Sequence, residues 1–199
     1  MAVAPEVFVN YRTGDEEMAA TLIQGELARR FGAGHVFFAS RSIAPGEDYT
    51  HRIEDALRRC RVVLAVMGPR WAQASGEAVS RSSGRRHDWA HHEILRAREY
   101  DVPVLPVLVG REMPRLRRSD LPRELGFLTE RQYMRFDHRN AVIDLERIGD
   151  EVLHCAPTLS TAERDHHPPA HSGFGGAGGG NCYHFHGDMR GAQLHFWSR

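Results

Sequence analysis

Short apolar runs alternate with amphipathic segments from residue 7 to about residue 153, and this alternation limits the fold more than any other feature. A short apolar run predicts a buried strand, and an amphipathic segment between two runs predicts a helix that covers the sheet. Strands that alternate with helices form parallel sheets. The sequence therefore predicts an α/β domain with a five-stranded parallel sheet and helices on both faces.

The apolar runs give the positions of the predicted strands. They occupy residues 7–11, 35–38, 62–67, 102–109 and 132–136, and a closing helix is predicted over residues 141–153. In an open parallel sheet, ligands bind outside the carboxyl ends of the strands. We therefore expect the functional site where residues 11–12, 39–41 and 68–71 meet the start of a helix at Trp89.

The first helix is expected to begin with a capping box, because Thr13 and Glu16 have the required spacing. Its buried face is predicted to consist of Met18, Leu22, Ile23, Leu27 and Phe31. The glycines of residues 32–34 follow this helix and precede a strand, which is the reverse of the order in a dinucleotide-binding loop. We interpret them as a helix C-cap and turn.

The composition argues against several classes of function. The chain has 26 basic and 26 acidic residues, so no net charge attracts nucleic acid or an anionic membrane. Its three cysteines include no C-x-x-C pair, which disfavours a disulfide framework and a zinc finger and fits a reducing cytosol. Neither a leader nor a membrane-spanning apolar segment is apparent. We expect a cytoplasmic protein that binds neither nucleic acid nor membrane.

Four motifs, in this order, resemble the TIR (Toll/interleukin-1 receptor) family. They are residues 7–12 (VFVNYR) with Asp15, residues 42–48 (SIAPGED), residues 68–71 (GPRW) and residues 89–93 (WAHHE). The resemblance covers most of the chain. It implies the TIR fold, a flavodoxin-like α/β domain, over residues 1–155.

The resemblance also implies an activity. TIR domains that cleave NAD+ use a glutamate near the start of the helix after the third strand, commonly with a tryptophan four residues earlier, and Glu93 and Trp89 match this pattern. Breaking the bond between nicotinamide and ribose develops positive charge on the sugar, which an ionised carboxylate stabilises. Glu93 is therefore the expected catalytic residue. Because positions i and i+4 share a helix face, Trp89 can line the same cleft.

The alternative for Glu93 is a solvated helix carboxylate near Arg96, with Trp89 as a core residue. The expected substrate-binding residues are Tyr11, Arg12, Phe38, Ser40, Trp71 and Trp89. The guanidinium of Arg12 suits the pyrophosphate of NAD+. Its alternative role is a structural ion pair with Asp15.

Residues 40–49 correspond to the BB loop of the TIR family, which in assembled domains covers or completes a neighbour's active site. The expected assembly residues are Ser42, Ile43, Pro45 and Gly46. In many relatives an aspartate stands at the place of Ala39, which concerns the details of the pocket wall. The alternative role of the loop is to connect strand and helix. The resemblance implies a homo-oligomer with TIR–TIR contacts, whose activity depends on self-association.

The composition changes after Cys155. Residues 156–180 are predicted to be a flexible Pro-, Gly- and His-rich linker, and residues 181–199 a short tail. The alternation of Tyr183, Phe185 and Met189 is similar to short amyloid-type signalling motifs, through which the tail would join an upstream receptor. The alternatives are a metal site built from the tail histidines and an unstructured extension.

The expected function is that of an NAD+ glycohydrolase or cyclase, activated by self-association, in bacterial antiphage or cell-death signalling. NAD+ is the substrate, and neither a cofactor nor a metal is expected. One alternative is a non-catalytic TIR adaptor that acts through residues 40–49. Another is a module that binds a nucleotide at the same cleft without cleaving it.

Overall fold

Five strands form one parallel sheet in the computed structural model, which describes residues 4–71 and 88–161. They are β1 (Val7–Tyr11), β2 (Val36–Phe37), β3 (Val62–Met67), β4 (Val104–Val109) and β5 (Met134–Phe136). Their order is β2-β1-β3-β4-β5, the flavodoxin-like order in which the chain reverses direction across the sheet between β1 and β3. The predicted five-stranded parallel sheet is confirmed.

The outer strands are shorter than the sequence predicts. Strand β2 pairs only through Val7 with Val36 and Phe8 with Phe37. His35 belongs to a 3-10 turn instead. Apolar residues that lack a strand partner do not extend the sheet, because pairing with a neighbouring strand is what satisfies their backbone groups.

Helices cover both faces of the sheet, as predicted. They are α1 (Glu17–Phe31), α2 (Ala39–Ser42), α3 (Tyr49–Arg59), α4 (Trp89–Glu99) and α5 (Ala141–Cys155). Helices α1 and α5 share one core with Val7 and Val9, while α3 and α4 share the other with Phe8. Successive strand residues point to opposite faces, so β1 contributes to both cores.

The start of α1 differs from the prediction. The expected capping box is wrong, because Glu16 adopts a left-handed φ of 58° and its side chain caps nothing. Glu17 takes over part of that role and accepts the backbone N–H of Gly14 at 2.6 Å. The helix therefore begins at Glu17.

The buried face of α1 also differs from the prediction. Ile23, Leu27 and Phe31 are buried as expected, but Met18 is 67% exposed and Leu22 is 40% exposed. Ala19 and Ala20 face the core in their place. The prediction assigned the large side chains Met18 and Leu22 to the buried face. At this end of α1 the helix lies close to the sheet, and the small side chains Ala19 and Ala20 face it instead.

The predicted alternation of strands and helices fails between β4 and β5. The structure has 3-10 segments there, at Arg118–Asp120 and Arg123–Glu130. Pro122 precedes the longer segment and supplies no backbone N–H, while Gly126 within it is a weak helix former. The segment still contributes apolar side chains to the core shared by α3 and α4.

The packed domain continues past the boundary predicted at residue 155. Ala156 and Leu159 are buried in the core next to α5. The remainder of the predicted linker, the predicted tail motif and the tail histidines lie outside the described residues. In the described ranges, 4–71 and 88–161, no helix is both long and apolar enough to span a bilayer.

Gly68, which follows β3, is expected to tolerate no side chain. A Cβ at this position would lie 2.5 Å from Oδ1 of the buried Asp15, whose carboxylate also accepts the backbone N–H of Gly68 at 3.1 Å. We predict that Gly68→Ala lowers the free energy of unfolding by about 1–3 kcal/mol, the usual cost of overpacking, as measured by urea denaturation.

The matched control is Gly25→Ala on α1, where a Cβ meets nothing within 4 Å. It should raise stability by about 0.5–1 kcal/mol. Equal stability of the two variants would contradict this packing.

Candidate functional site

The carboxyl ends of β1 and β3 form the point where the sheet changes direction. The chain leaves β1 toward α1 on one face and leaves β3 toward α4 on the other. Such a switch point opens a crevice at the carboxyl edge of the sheet, where ligands of this fold class bind. Of the predicted segments, residues 11–12, residues 68–71 and the start of α4 meet there. Arg41, from the predicted segment 39–41, instead binds Gln24 of α1.

Glu93 is buried in this region. Its side chain lies on α4, the residue is only 5% exposed, and Oε2 accepts a hydrogen bond from Nδ2 of Asn10 at 2.7 Å. Arg96 instead pairs with Glu54 of α3 and with Glu99. The alternative of a solvated carboxylate near Arg96 is therefore wrong.

The surroundings of Glu93 oppose its ionisation. Burial raises the pKa of its carboxyl from 4.5 to about 7, the Asn10 amide acts in the other direction, and the negative charge of Asp88 adds to the rise. At neutral pH the group therefore exchanges between its protonated and ionised forms. A buried carboxyl with such a pKa at the carboxyl edge of a parallel sheet is typical of a functional residue.

Trp89, the first residue of α4, is half-buried and contacts α3. Its ring meets the ring of Tyr49 edge-on, with centroids 5.3 Å apart, and meets His92 at 5.7 Å. Burial raises the pKa of the Tyr49 hydroxyl, and the negative charge of Glu93 raises it further. Tyr49 therefore joins Trp89 and Glu93 at the site, although the sequence motifs did not select it as a binding residue.

Arg12 forms an ion pair with Asp88, not with Asp15. Its Nη2 also lies 3.3 Å from Nε2 of His91. The carboxylate of Asp15 is instead engaged by the backbone N–H groups of Gly68 and Arg70. The proposed pairing of the Arg12 and Asp15 side chains is therefore wrong, and these two residues meet through the backbone instead, where the N–H of Asp15 donates to the carbonyl oxygen of Arg12 at 3.0 Å. Arg12 and Asp88 are 76 positions apart in the sequence.

Asp88 also organises the beginning of α4. Its side chain caps the helix by accepting the backbone N–H of His91, and Oδ2 lies 3.1 Å from Nδ1 of the same histidine. Burial, the largest effect, lowers the pKa of His91. One carboxylate thus joins a helix end, a histidine and Arg12 at the carboxyl edge of the sheet.

Trp71 has no exposed surface. Its ring packs against His91 at a centroid distance of 4.7 Å, and its carbonyl oxygen lies 3.4 Å from Nε2 of that histidine. The structure therefore places Trp71 as a packing partner of His91 in the core, not as an exposed surface that meets substrate directly.

Tyr11 and Phe38 stack on each other, with ring centroids 4.9 Å apart and an angle of 20° between the planes. Phe38 is buried, and both rings belong to the core shared by α1 and α5. Asn10, whose side chain binds Glu93, lies on the opposite face of β1 from Tyr11. Ser40 lies exposed on α2. The roles of Tyr11, Phe38 and Ser40 in substrate binding stay predictions.

The predicted assembly loop is partly helical, since Ala39–Ser42 forms α2. The Oγ of Ser42 accepts the backbone N–H of Phe38 at 2.9 Å, and Ile43 packs against the core next to α3. Pro45 and Gly46 are exposed, and Gly46 has a φ of 92°. The first two predicted assembly residues are thus held by the domain, and the last two face outward.

The sequence analysis did not select Asn10, Asp88 or His91 as site residues, although Asn10 and His91 lie within two of the motifs. Asn10 carried a usable signal, because it is a polar residue inside an otherwise apolar strand, and such a residue needs a buried partner. Asp88 directly before a helical segment is a typical N-cap. No group of three His, Cys, Asp or Glu side chains suited to a metal ion occurs in the part of the chain that the structure describes.

Comparison with known proteins places the chain in a structural context. A TIR domain family profile matches residues 7–148. No curated protein matches the chain. A metazoan TIR-STING receptor from C. gigas in complex with 2',3'-cGAMP is 20% identical over 75% of this chain, with a TM-score of 0.49, and the match spans 40% of that receptor.

A second similar structure is that of the TIR domains of the activated Roq1 resistosome, which directly recognizes the pathogen effector XopQ. It is 13% identical, covers 73% of this chain and 98% of the matched chain, and has a TM-score of 0.52. At this identity the likeness supports the fold alone.

The burial of Glu93 predicts a pH-dependent stability. Its pKa rises from 4.5 to about 7 on folding, so its contribution is fully present below about pH 4.5 and is lost as the pH rises through about 7. The loss amounts to roughly 3 kcal/mol once the group is ionised. Glu93→Gln removes this dependence, so the variant should gain stability relative to wild type between about pH 5 and about pH 8, as measured by urea denaturation.

The matched control is Glu99→Gln, which changes an exposed carboxylate on the same helix. Its stability should follow the wild-type pH dependence. His91 is present in all three proteins, so its own titration cancels in the comparison. An unchanged difference between Glu93→Gln and wild type across this pH range would show that Glu93 is not buried as described.

Proposed function

The chain belongs to the TIR domain family, and from this we propose that it cleaves NAD+ at the bond between nicotinamide and ribose. The observation that carries the proposal is Glu93, a buried carboxylate hydrogen-bonded to Asn10 at the carboxyl edge of the sheet. Burying a carboxylate costs stability. A domain that only bound partners through its surface would have no chemical use for such a group.

The proposed reaction needs few protein groups. As the glycosidic bond breaks, nicotinamide leaves as a neutral molecule with the bonding electrons, so no general acid is required. The sugar becomes an oxocarbenium-like cation, and the ionised Glu93 stabilises that charge. Water then attacks the anomeric carbon and loses a proton, which gives ADP-ribose. Attack by a nitrogen of the substrate's own adenine would give a cyclic product instead.

The neighbours of Glu93 suit the rest of the dinucleotide. Tyr49 lies close enough to the carboxylate for the charge of Glu93 to raise its pKa, and the ring of Trp89 meets that of Tyr49 edge-on, so the two rings supply aromatic surface for a base or a sugar. Arg12 suits the pyrophosphate because a guanidinium binds phosphate oxygens in a bidentate manner. Its present partner is Asp88, so a bound pyrophosphate would replace one anion by another at the same guanidinium.

Self-association is the proposed route to activation. Pro45 and Gly46 project from the loop between α2 and α3, where a second domain can reach them. The similar Roq1 structure contains the TIR domains of an activated resistosome, which is an assembly. We propose that this chain forms homo-oligomers in the cytosol, with residues 181–199 as a contact for an upstream receptor. Bacterial antiphage or cell-death signalling is the role that fits such an enzyme.

Nicotinamide release tests the activity. With NAD+ at high protein concentration and a crowding agent, wild type should release nicotinamide, and Glu93→Ala should lower the rate by at least about a hundredfold, as for the loss of a transition-state electrostatic contact. The rate should rise with pH through about 7, because only ionised Glu93 stabilises the cation. Glu99→Ala, an exposed change on the same helix, is the control. An assembled wild type that releases no nicotinamide would favour the TIR adaptor.

A mixing experiment tests whether one domain completes the site of the next. Pro45→Glu alters an exposed loop residue and should weaken activity by disturbing assembly, while Glu93→Ala lacks the carboxylate. In a mixture, the intact loop of the Glu93→Ala protein can complete the intact site of the Pro45→Glu protein. We predict that the mixture releases nicotinamide faster than the sum of the two proteins measured separately. Strictly additive rates would contradict a shared site.

A further inference from the structure

Asn10 is a polar residue in strand β1 and has no exposed surface. A side-chain amide buried without hydrogen bonds costs free energy, so its partners are informative. Two acceptors on helix α4 engage its Nδ2. It donates to the carbonyl oxygen of Ala90 at 3.0 Å and to Oε2 of Glu93 at 2.7 Å. Asn10 thus holds the helix backbone and the carboxylate at the same time.

The orientation of this amide follows from its partners. The carbonyl oxygen of Ala90 can only accept, so the end of the Asn10 side chain that faces it must be the NH2 group. The same nitrogen faces Glu93 and offers its second hydrogen to the carboxylate. Asn10 therefore presents a donor to Glu93, and a donor stabilises the ionised form of a carboxyl group.

We propose that Asn10 is a positioning residue of the site: its buried amide holds the Glu93 carboxylate in one orientation and favours its charged form. The catalytic consequence rests on the proposed cleavage of NAD+, in which charged Glu93 stabilises the sugar cation. The effect of Asn10 on the charge of Glu93 does not rest on the proposed cleavage of NAD+, because it is a property of the protein without substrate.

The other groups around Glu93 make this contact necessary. Burial opposes the charge of Glu93 most, and Asp88, the N-cap of the same helix, opposes it as well. From α3, the Tyr49 hydroxyl faces the same region. At the end of β1, the positive charge of Arg12 is engaged by Asp88. His91 is buried and its pKa is lowered, so it supplies little positive charge near neutral pH.

Further along α4 the charges compensate each other, because Glu54 of α3 pairs with Arg96 and lies 3.8 Å from His92. Strand β3 adds the apolar Ala65 and Met67 to the core that α4 shares. Asn10 is therefore the group in the described part of the chain that lowers the pKa of Glu93.

A neutral donor suits the chemistry better than a cation. An arginine or lysine in the place of Asn10 would hold the carboxylate but would also neutralise it, which weakens its attraction for a cationic sugar. The amide orients the carboxylate and leaves its full negative charge available. It also lowers the pKa of Glu93, which stays at about 7 despite burial.

The experiment compares three substitutions. Asn10→Leu keeps a similar volume but removes the donor, and Asn10→Ser keeps a hydroxyl donor on a shorter side chain. Gln24→Leu is the matched control, since Gln24 is a second buried amide whose partner is Arg41 on α2. For each protein, carbon NMR of labelled glutamate follows the titration of the Glu93 carboxyl, which is assigned by its loss in Glu93→Gln. Nicotinamide release from NAD+ is then measured across pH.

The proposal predicts that Asn10→Leu raises the midpoint of the Glu93 titration by about one pH unit or more. At pH 7 its kcat should fall about five- to tenfold and recover as the pH rises, with little change in KM, because the carboxylate acts on the transition state. Asn10→Ser should lie between Asn10→Leu and wild type. Gln24→Leu should leave the Glu93 titration unchanged.

Asn10 is a purely structural residue if Asn10→Leu loses stability but keeps the wild-type midpoint and pH profile. If Asn10→Leu does not fold, the midpoint of Asn10→Ser decides, and a wild-type value overturns the proposal. If wild type releases no nicotinamide, the proposed function fails. The NMR midpoints then still show whether Asn10 controls the charge of Glu93.

Discussion

The hydrogen bond between Asn10 and Glu93 joins strand β1 to helix α4, and the site is arranged around it. A carboxylate in this position would be unfavourable in an apolar core, since burial favours its neutral form. The amide of Asn10 offsets part of that cost and anchors α4 through the carbonyl of Ala90 as well. The helix and the carboxylate are therefore positioned by the same strand residue.

Two aspartates organise the loops around this contact. Asp88 caps α4 and binds Arg12, so the end of β1 is tied to the start of the helix that carries Glu93. Asp15 binds the backbone that follows β3 through Gly68 and Arg70. Together they close the switch point of the sheet with charge-assisted hydrogen bonds, which are stronger than neutral ones. Three chain segments that are distant in sequence are thus tied together at this edge of the sheet.

Much of the fold could be predicted because the apolar runs of the strands are local signals. The positions of Glu93 and Trp89 on a helix after the third strand also followed from a short motif. The register of α1 could not be predicted, because the burial of Ala19 and Ala20 depends on how closely the helix approaches the sheet. The partners of Arg12 and Glu93 are 76 and 83 residues away. No local pattern selects such partners from many candidates.

The proposed function requires that Glu93 face the nicotinamide ribose of NAD+. Its most direct test is a crystal structure of the assembled protein with a carbocyclic NAD+ analogue, in which carbon replaces the ring oxygen of that ribose so that the cation cannot form. We expect the hydroxyl groups of the modified ribose to lie within hydrogen-bond distance of the Glu93 carboxylate, next to Trp89. An analogue bound with this ring out of reach of Glu93 would contradict it.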